Sequence, residues 1–296
     1  MEENFAADGE FPFYTSLFSK EGHLFCGGAL ISEEWIVTAA HCMDGIKDPT
    51  TIEVVIGLDH LNKELKALHY SKVDKAIPHE RYDETVMDEY YSGGFSSFVK
   101  QYYDIALLHL QDRAVGIPML SLFDPKDGPY LEDLGARSKT TIMGFGFTTI
   151  SNSSRRYQNL SSDLKTTTLT IPKIDLLNNF YERFSLYGQG KSQFASGDSG
   201  SPAILTYQNR VYLLGVVSFI SILGKQIFTS ASHYFAWISE NSGITEDSGT
   251  YTGTEKLEKK SIPICNQRKT WETCHEKLML CDWDSSLSTC INYPAR

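Results

Sequence analysis

The sequence predicts an all-β fold, a sandwich or a barrel, and three observations carry the prediction. Short apolar runs recur along the chain, Gly, Ser, Asp and charged residues break them at short intervals, and helical periodicity is scarce. A chain of 296 residues with 41% hydrophobic content can bury one large core and carry a small appendage.

The first group of predicted strands lies in "FPFYTSLF", "LFCGGALI", "WIVTAA" and "TIEVVIG", all between residues 11 and 60. A short helical turn is expected at Ala40–Met43, after "WIVT". The same rhythm returns at "YDIALLHL", "TIMGFGF", "LKTTTLTI", "SPAILTY", "VYLLGVVSF" and "QIFTS". Val211 to Gly224 is free of charge but shorter than the roughly 18 apolar residues of a membrane span, so it reads as a buried strand, a turn and the start of another strand. A helix is expected at Ser232–Asn241, where Phe235, Trp237 and Ile238 form a partial apolar face and Gly243 supplies a stop.

After Ile244 the composition becomes polar, charged and glycine-bearing. The expected organisation is one domain over residues 1–244, a linker over 245–264 and a small cysteine-rich extension over 265–296.

Charge and cysteines narrow the function. Lys+Arg 27 against Asp+Glu 37 leaves a net charge of −10, which repels phosphate backbones and anionic membranes, so no nucleic-acid partner is expected. Cys26 and Cys42 near the start and Cys265, Cys274, Cys281 and Cys290 near the end point to disulfides and an oxidising compartment. Two glycosylation sequons, at Asn152 and Asn159 in a polar loop, favour secretion further. Met1-Glu2-Glu3 is acidic and no apolar core follows it, so the chain does not open on a signal peptide. The spacing C-x8-C-x6-C-x8-C of the last four cysteines fits two disulfides in any of three pairings. That extension is either an appendage that binds another protein or a stapled, inert end.

Three segments carry chemistry. "WIVTAAHC" delivers His41 at the end of an apolar strand, "YDIALLHL" places Asp104 at the start of another, and "SGDSGSP" surrounds Ser199 with glycines. A serine hydroxyl is a weak nucleophile at neutral pH, so an imidazole must take its proton during attack and return it to the leaving group. Taken singly, His41 could be a core histidine, Asp104 a strand-end cap and Ser199 a turn residue; in this order and context they point to catalysis. The remaining histidines, His23, His60, His69, His79, His109, His233 and His275, read as surface or packing residues. No histidine and carboxylate spacing suggests a metal site, and no cofactor is expected.

Together the three segments resemble the chymotrypsin-like, or trypsin-like, serine peptidase family over about Gly9 to Glu240, in the family's order of His, Asp and Ser. "VVSF" (Val216–Phe219) and "HYFAWI" are similar to its substrate-pairing strand and its C-terminal helix. The resemblance implies a double six-stranded antiparallel β-barrel with a C-terminal helix, followed here by the disulfide-rich tail. It implies Ser199 as nucleophile, His41 as general base and acid, and Asp104 as the carboxylate that orients the imidazole. It also implies an oxyanion hole from the N–H groups of Gly197 and Ser199, and a disulfide between Cys26 and Cys42. Polypeptides are the implied substrates.

The sequence departs from the family pattern at several places. The family's activation amine pairs with the aspartate before the nucleophile, here Asp198, and "EENFAADGEFPF" resembles the continuation of a segment whose amine lies a few residues before Met1. Ala195 stands where a cysteine commonly staples the specificity loops, and residues 43–264 contain no cysteine. Gln193 stands at the pocket base instead of the aspartate that selects Arg or Lys, so a trypsin-like preference is disfavoured. Ile220 follows Ser218 and Phe219 where a glycine usually leaves the pocket open, which favours a small or medium apolar substrate residue; Gln226 is a further candidate for the pocket. The interval between Pro78 and Asp104 is about a dozen residues longer than the family's, and its tyrosines and acids either restrict substrates or form a solvated loop. The intact His, Asp and Ser favour an enzyme over the rival reading, a catalytically silent homologue that acts as a protein-binding module.

Overall fold

In the computed structural model the described residues are 4–61, 65–83, 103–122, 138–146, 148–152, 155–171, 185–188, 197–207, 210–220, 226–245, 249–252, 257–261, 281–284 and 289–292. The first half holds β1 (Asn4–Phe5), β2 (Tyr14–Ser19), β3 (Leu24–Leu30), β4 (Trp35–Thr38), β5 (Ile52–Ile56), β6 (Lys66–Ala67), β7 (His69–Pro78) and β8 (Ala106–Leu110). The second half holds β9 (Ser121–Leu122), β10 (Ser138–Gly144), β11 (Thr148–Asn152), β12 (Arg155–Asn159), β13 (Lys165–Ile171), β14 (Ser185–Gly188), β15 (Pro202–Tyr207), β16 (Arg210–Ile220) and β17 (Gln226–Ser230). One α-helix, α1 (Phe235–Ser242), follows, and then β18 (Lys260–Ser261), β19 (Cys281–Asp284) and β20 (Thr289–Asn292).

Six of these strands close a barrel in the order β2-β3-β4-β8-β7-β5, all neighbours antiparallel. Closure leaves no edge, so each backbone group of the ladder finds a partner. It also explains why β2, β4 and β5 are buried at nearly every position instead of alternating: one face fills the barrel and the other is covered from outside. Phe13, Tyr14, Leu17, Phe18, Leu30, Ile36, Ile52 and Ile56 are among the largest fully buried side chains.

The second half, joined by β1 from the N-terminus, forms an eight-stranded sheet in the order β1-β13-β10-β15-β16-β17-β14, with β9 paired in parallel to β16. The mostly β architecture with a C-terminal helix agrees with the expected fold class; of the two six-stranded barrels that the resemblance implies, one is closed among the described residues and the other half of the fold forms the sheet. Residues 211–220 of the charge-free stretch lie in β16, which pairs with β17. Helix α1 starts at Phe235, three residues later than the pattern suggested, and Gly243 ends it in the left-handed conformation at φ 74°. Only a residue without a Cβ adopts that conformation at little cost.

Residues 249–252 and 257–261 fall in the segment expected to be a linker, and both dock on the barrel side of the molecule. The N–H groups of Thr250 and Tyr251 donate to the Met119 carbonyl at 3.0 Å, and the Tyr251 ring lies 4.9 Å from that of Phe13. The Tyr251 hydroxyl donates to the carbonyl of Glu10, Lys259 pairs with the buried Asp59, and β18 adds to β6 in antiparallel register. In the tail, β19 and β20 pair as a hairpin that carries the backbone of Cys281 and Cys290. Cys265 and Cys274, the long interval over residues 84–102, and Gln193, Phe194 and Ala195 lie outside the described residues.

Candidate active site

The geometry of the site follows from how β4 meets β8. The two strands run antiparallel with Thr38 opposite Ala106, so the chain leaving β4 and the chain entering β8 meet at one end of the barrel. Leaving β4, the backbone turns through a short 3-10 segment, Ala40–Met43, which presents His41. Entering β8, it presents Asp104, whose residue is only 1% exposed.

The two side chains meet with full hydrogen-bond complementarity. His41 Nδ1 lies 2.8 Å from Asp104 Oδ2, and the backbone N–H of His41 donates to Oδ1 at 2.9 Å. The Ser218 hydroxyl donates to Oδ2 as well. A buried carboxylate is costly unless its lone pairs are satisfied, and here three donors meet it. Burial alone would raise the Asp104 pKa, but the His41 charge and these hydrogen bonds outweigh it and hold the carboxyl below its ordinary range. For His41 burial acts downward, while the Asp104 charge and hydrogen bond, aided by Asp44, hold the imidazole above its ordinary value.

Ser218 stands among the pocket-wall residues in the sequence, and its contact with Asp104 is a second placement that no local pattern announces. The register between β16 and β17 shifts between Val217 and Phe219, so Ser218 is the extra residue of a bulge. Bulges re-aim side chains, and this one accompanies a hydroxyl turned toward a carboxylate 114 residues earlier in the chain. Gln226 is buried at the start of β17, opposite Ile220.

Ser199 enters from the second half. Its carbonyl accepts the N–H of Gly27 at 2.7 Å, the N–H of Gly200 reaches the Val217 carbonyl at 2.8 Å, and Val217 returns a bond to Ser201 at 2.9 Å. The turn is thereby tied to β3 on one side and β16 on the other. Gly197 and Gly200 have φ of 96° and 75°, conformations that L side chains rarely adopt. A Cβ on Gly200 would also overlap the Thr38 hydroxyl and the Gly27 carbonyl, so the glycine lets the serine loop close onto the end of β4, beside the turn that holds His41.

Asp198 is buried, with Oδ1 accepting the N–H of Gly146 at 2.6 Å, and its carboxylate occupies the space that side chains on Gly144 and Gly146 would fill. Beside it the phenol of Tyr14 is held protonated, its pKa pushed up by burial and by the Asp198 charge. Cys26 and Cys42 form a disulfide between β3 and the His41 turn. His41, Cys26 and Cys42 are also the group among the described residues whose ligand atoms lie close enough to hold a metal, but the disulfide uses both sulfurs and leaves no thiolate.

Known proteins show the family of the chain. The family model for trypsin matches residues 2–238. A trypsin of Phaedon cochleariae is 29% identical over 252 residues, covering 79% of this chain and 85% of that protein. Coagulation factor IX of Cavia porcellus is 28% identical over 249 residues, covering 78% of each. The chain belongs to the trypsin family and is a serine-type endopeptidase.

Proposed function

We propose that the protein is a secreted endopeptidase that hydrolyses peptide bonds through an acyl-enzyme on Ser199. His41 takes the Ser199 proton during attack and delivers it to the leaving amine, and Asp104 fixes the tautomer that makes this possible. With Nδ1 engaged by Asp104, Nε2 is the nitrogen left for the serine. The N–H groups of Gly197 and Ser199 receive the developing oxyanion, and Asp198 accepts an activating ammonium that holds their turn in shape. The peptidase domain spans residues 1–244, and the extension over 265–296 binds another protein.

The observation that carries this reading is the buried carboxylate of Asp104, with both oxygens engaged by His41 and a third donor from Ser218. A structural histidine at a strand end has no need of such an arrangement. For specificity, Gln193 in place of an acidic pocket base, together with Ile220, favours cleavage after small or medium apolar residues.

A fluorophosphonate probe tests the reading directly. Full-length protein bearing its natural N-terminus should be modified at Ser199, and Ser199→Ala should abolish both labelling and peptide hydrolysis. Recovery of unmodified Ser199 from folded wild-type protein would overturn the role given to Ser199.

A further inference from the structure

We infer that His79 is a positioning residue for the catalytic carboxylate: its ring clamps Tyr103 and its backbone holds Ile105, the two neighbours of Asp104. The inference rests on the peptidase reading above, and it gives a role in the reaction to a histidine that the sequence assigns only to surface or packing.

The contacts converge on one short stretch. The His79 ring packs against both neighbours, with the Tyr103 ring tilted 4.8 Å away and the Trp237 indole stacked at 4.9 Å. Tyr234 meets it edge-on at 5.3 Å, and the Arg81 guanidinium caps the Tyr103 ring at 4.3 Å. The backbone N–H of His79 donates to the Ile105 carbonyl at 3.0 Å, and the N–H of Ile105 donates to the Tyr103 carbonyl at 2.8 Å. Asp104 therefore sits at the apex of a tight turn whose two ends are both fastened to His79. A carboxylate that must meet the N–H and the Nδ1 of His41 together tolerates little displacement, and an apex gains its rigidity from its ends.

The chemistry of the ring suits the task. His79 Nδ1 accepts the N–H of Arg81 at 3.2 Å, which places the proton of the neutral ring on Nε2. Burial first, and the neighbouring Arg81, pull its pKa below the ordinary value against the pull of Glu80. The ring thus remains neutral, with its acceptor in place, where His41 has to work. Trp237 is fixed in turn, since its indole N–H donates to Glu80 at 2.9 Å. Helix α1 is in this way linked to the catalytic carboxylate through two stacked rings and Tyr103.

The titratable and charged groups around His79 are Glu80 and Arg81 on its own loop, Tyr103 ahead of β8 and Tyr234 ahead of α1; those facing His41 are Asp104 and Asp44. Removing the His79 ring leaves Asp104 less well held. Because Asp104 raises the His41 pKa, the imidazole then titrates at lower pH.

The test is the His41 titration followed by NMR in the full chain, in the wild type, His79→Ala and His79→Phe, alongside the rate of fluorophosphonate labelling. His79→Ala should lower the His41 pKa and slow the inactivation step about tenfold, with the probe's binding constant unchanged. His79→Phe keeps an aromatic layer between Tyr103 and Trp237 and should restore most of both. An unmoved His41 titration in His79→Ala overturns the inference even if melting temperature or labelling falls, since loss of stability alone does not change the carboxylate's hold on the imidazole. A His79→Phe as impaired as His79→Ala also overturns it. If His79→Ala does not fold, Trp237→Leu, which strips the outer layer of the stack, should move the titration in the same direction, and no movement overturns it. A wild type that resists labelling while its His41 still responds to His79 removes the peptidase reading and leaves the coupling standing.

Discussion

At the level of single residues, the pair His41 and Asp104 sets the pH behaviour. His41 must be neutral to accept a proton, and its pKa is raised above the ordinary value near 6.5 by Asp104. Activity is therefore expected to rise with pH through a midpoint above 6.5, measured as the pH dependence of kcat/KM or of probe labelling. Asp104→Asn removes the charge that raises His41. It should move that midpoint downward and reduce the rate at the plateau by about 10⁴-fold, because the amide favours the wrong tautomer. An unmoved midpoint would show that Asp104 does not govern the base. His41, Asp104 and Ser199 were legible from their flanking residues, since each closes or opens a distinct apolar run. The contact of Ser218 with Asp104 was not, because it arises from a bulge in β16 that changes the direction of one side chain without changing the pattern.

At the level of elements, the disulfide between Cys26 and Cys42 ties β3 to the turn that carries His41. Closing a loop of 16 residues restricts the unfolded chain and stabilises by about 3 kcal/mol. Replacing both cysteines by Ser should lower the Tm by about 10 °C and reduce activity beyond what the fraction unfolded explains, since β3 also holds the Ser199 carbonyl through Gly27. A variant with wild-type activity at 25 °C would show that the bridge serves stability alone.

The N-terminal segment is held by another set of contacts. His60 lies between Asp163 at 2.8 Å and Asp8 at 2.8 Å, while Asp59 accepts the N–H of Gly9 at 2.8 Å and pairs with Lys259. Burial lowers the His60 pKa, but the hydrogen bonds to Asp163 and Asp8 raise it by more. Its folded pKa is thus above its unfolded one, so the stabilisation it provides is present at low pH and is lost as pH rises through the folded pKa. Corrected for intrinsic rates, the amides of residues 5–10 should exchange faster at pH 8 than at pH 6, and His60→Gln should remove the difference. None of this clasp was readable in the sequence, where Asp8, His60, Asp163 and Lys259 stand in four unrelated polar stretches.

For the whole molecule, the site exists only where the closed barrel meets the second sheet. The barrel supplies His41 and Asp104, and the second half supplies Ser199 and Ser218. The proposed specificity also rests on residues of the second half. A peptide library should report cleavage after small or medium apolar residues, and a profile dominated by Arg or Lys would sink the role given to Gln193 and Ile220.

The sequence by itself determined the fold class and many of the strands, and it brought His41, Asp104 and Ser199 forward in order, because apolar runs and glycine-flanked turns are local and record what each segment must bury; β7, a strand of the closed barrel, carries too polar a run to have been read this way. It also announced the end of α1, since Gly243 is needed wherever the backbone turns left-handed. Only the tertiary structure decided that Ser218 meets Asp104, that residues 249–252 and 257–261 dock on the barrel, and that His79 packs against both Tyr103 and Trp237. Those contacts join residues far apart in the chain. Which of them meet is settled by barrel closure and strand register, quantities that no stretch of sequence contains on its own.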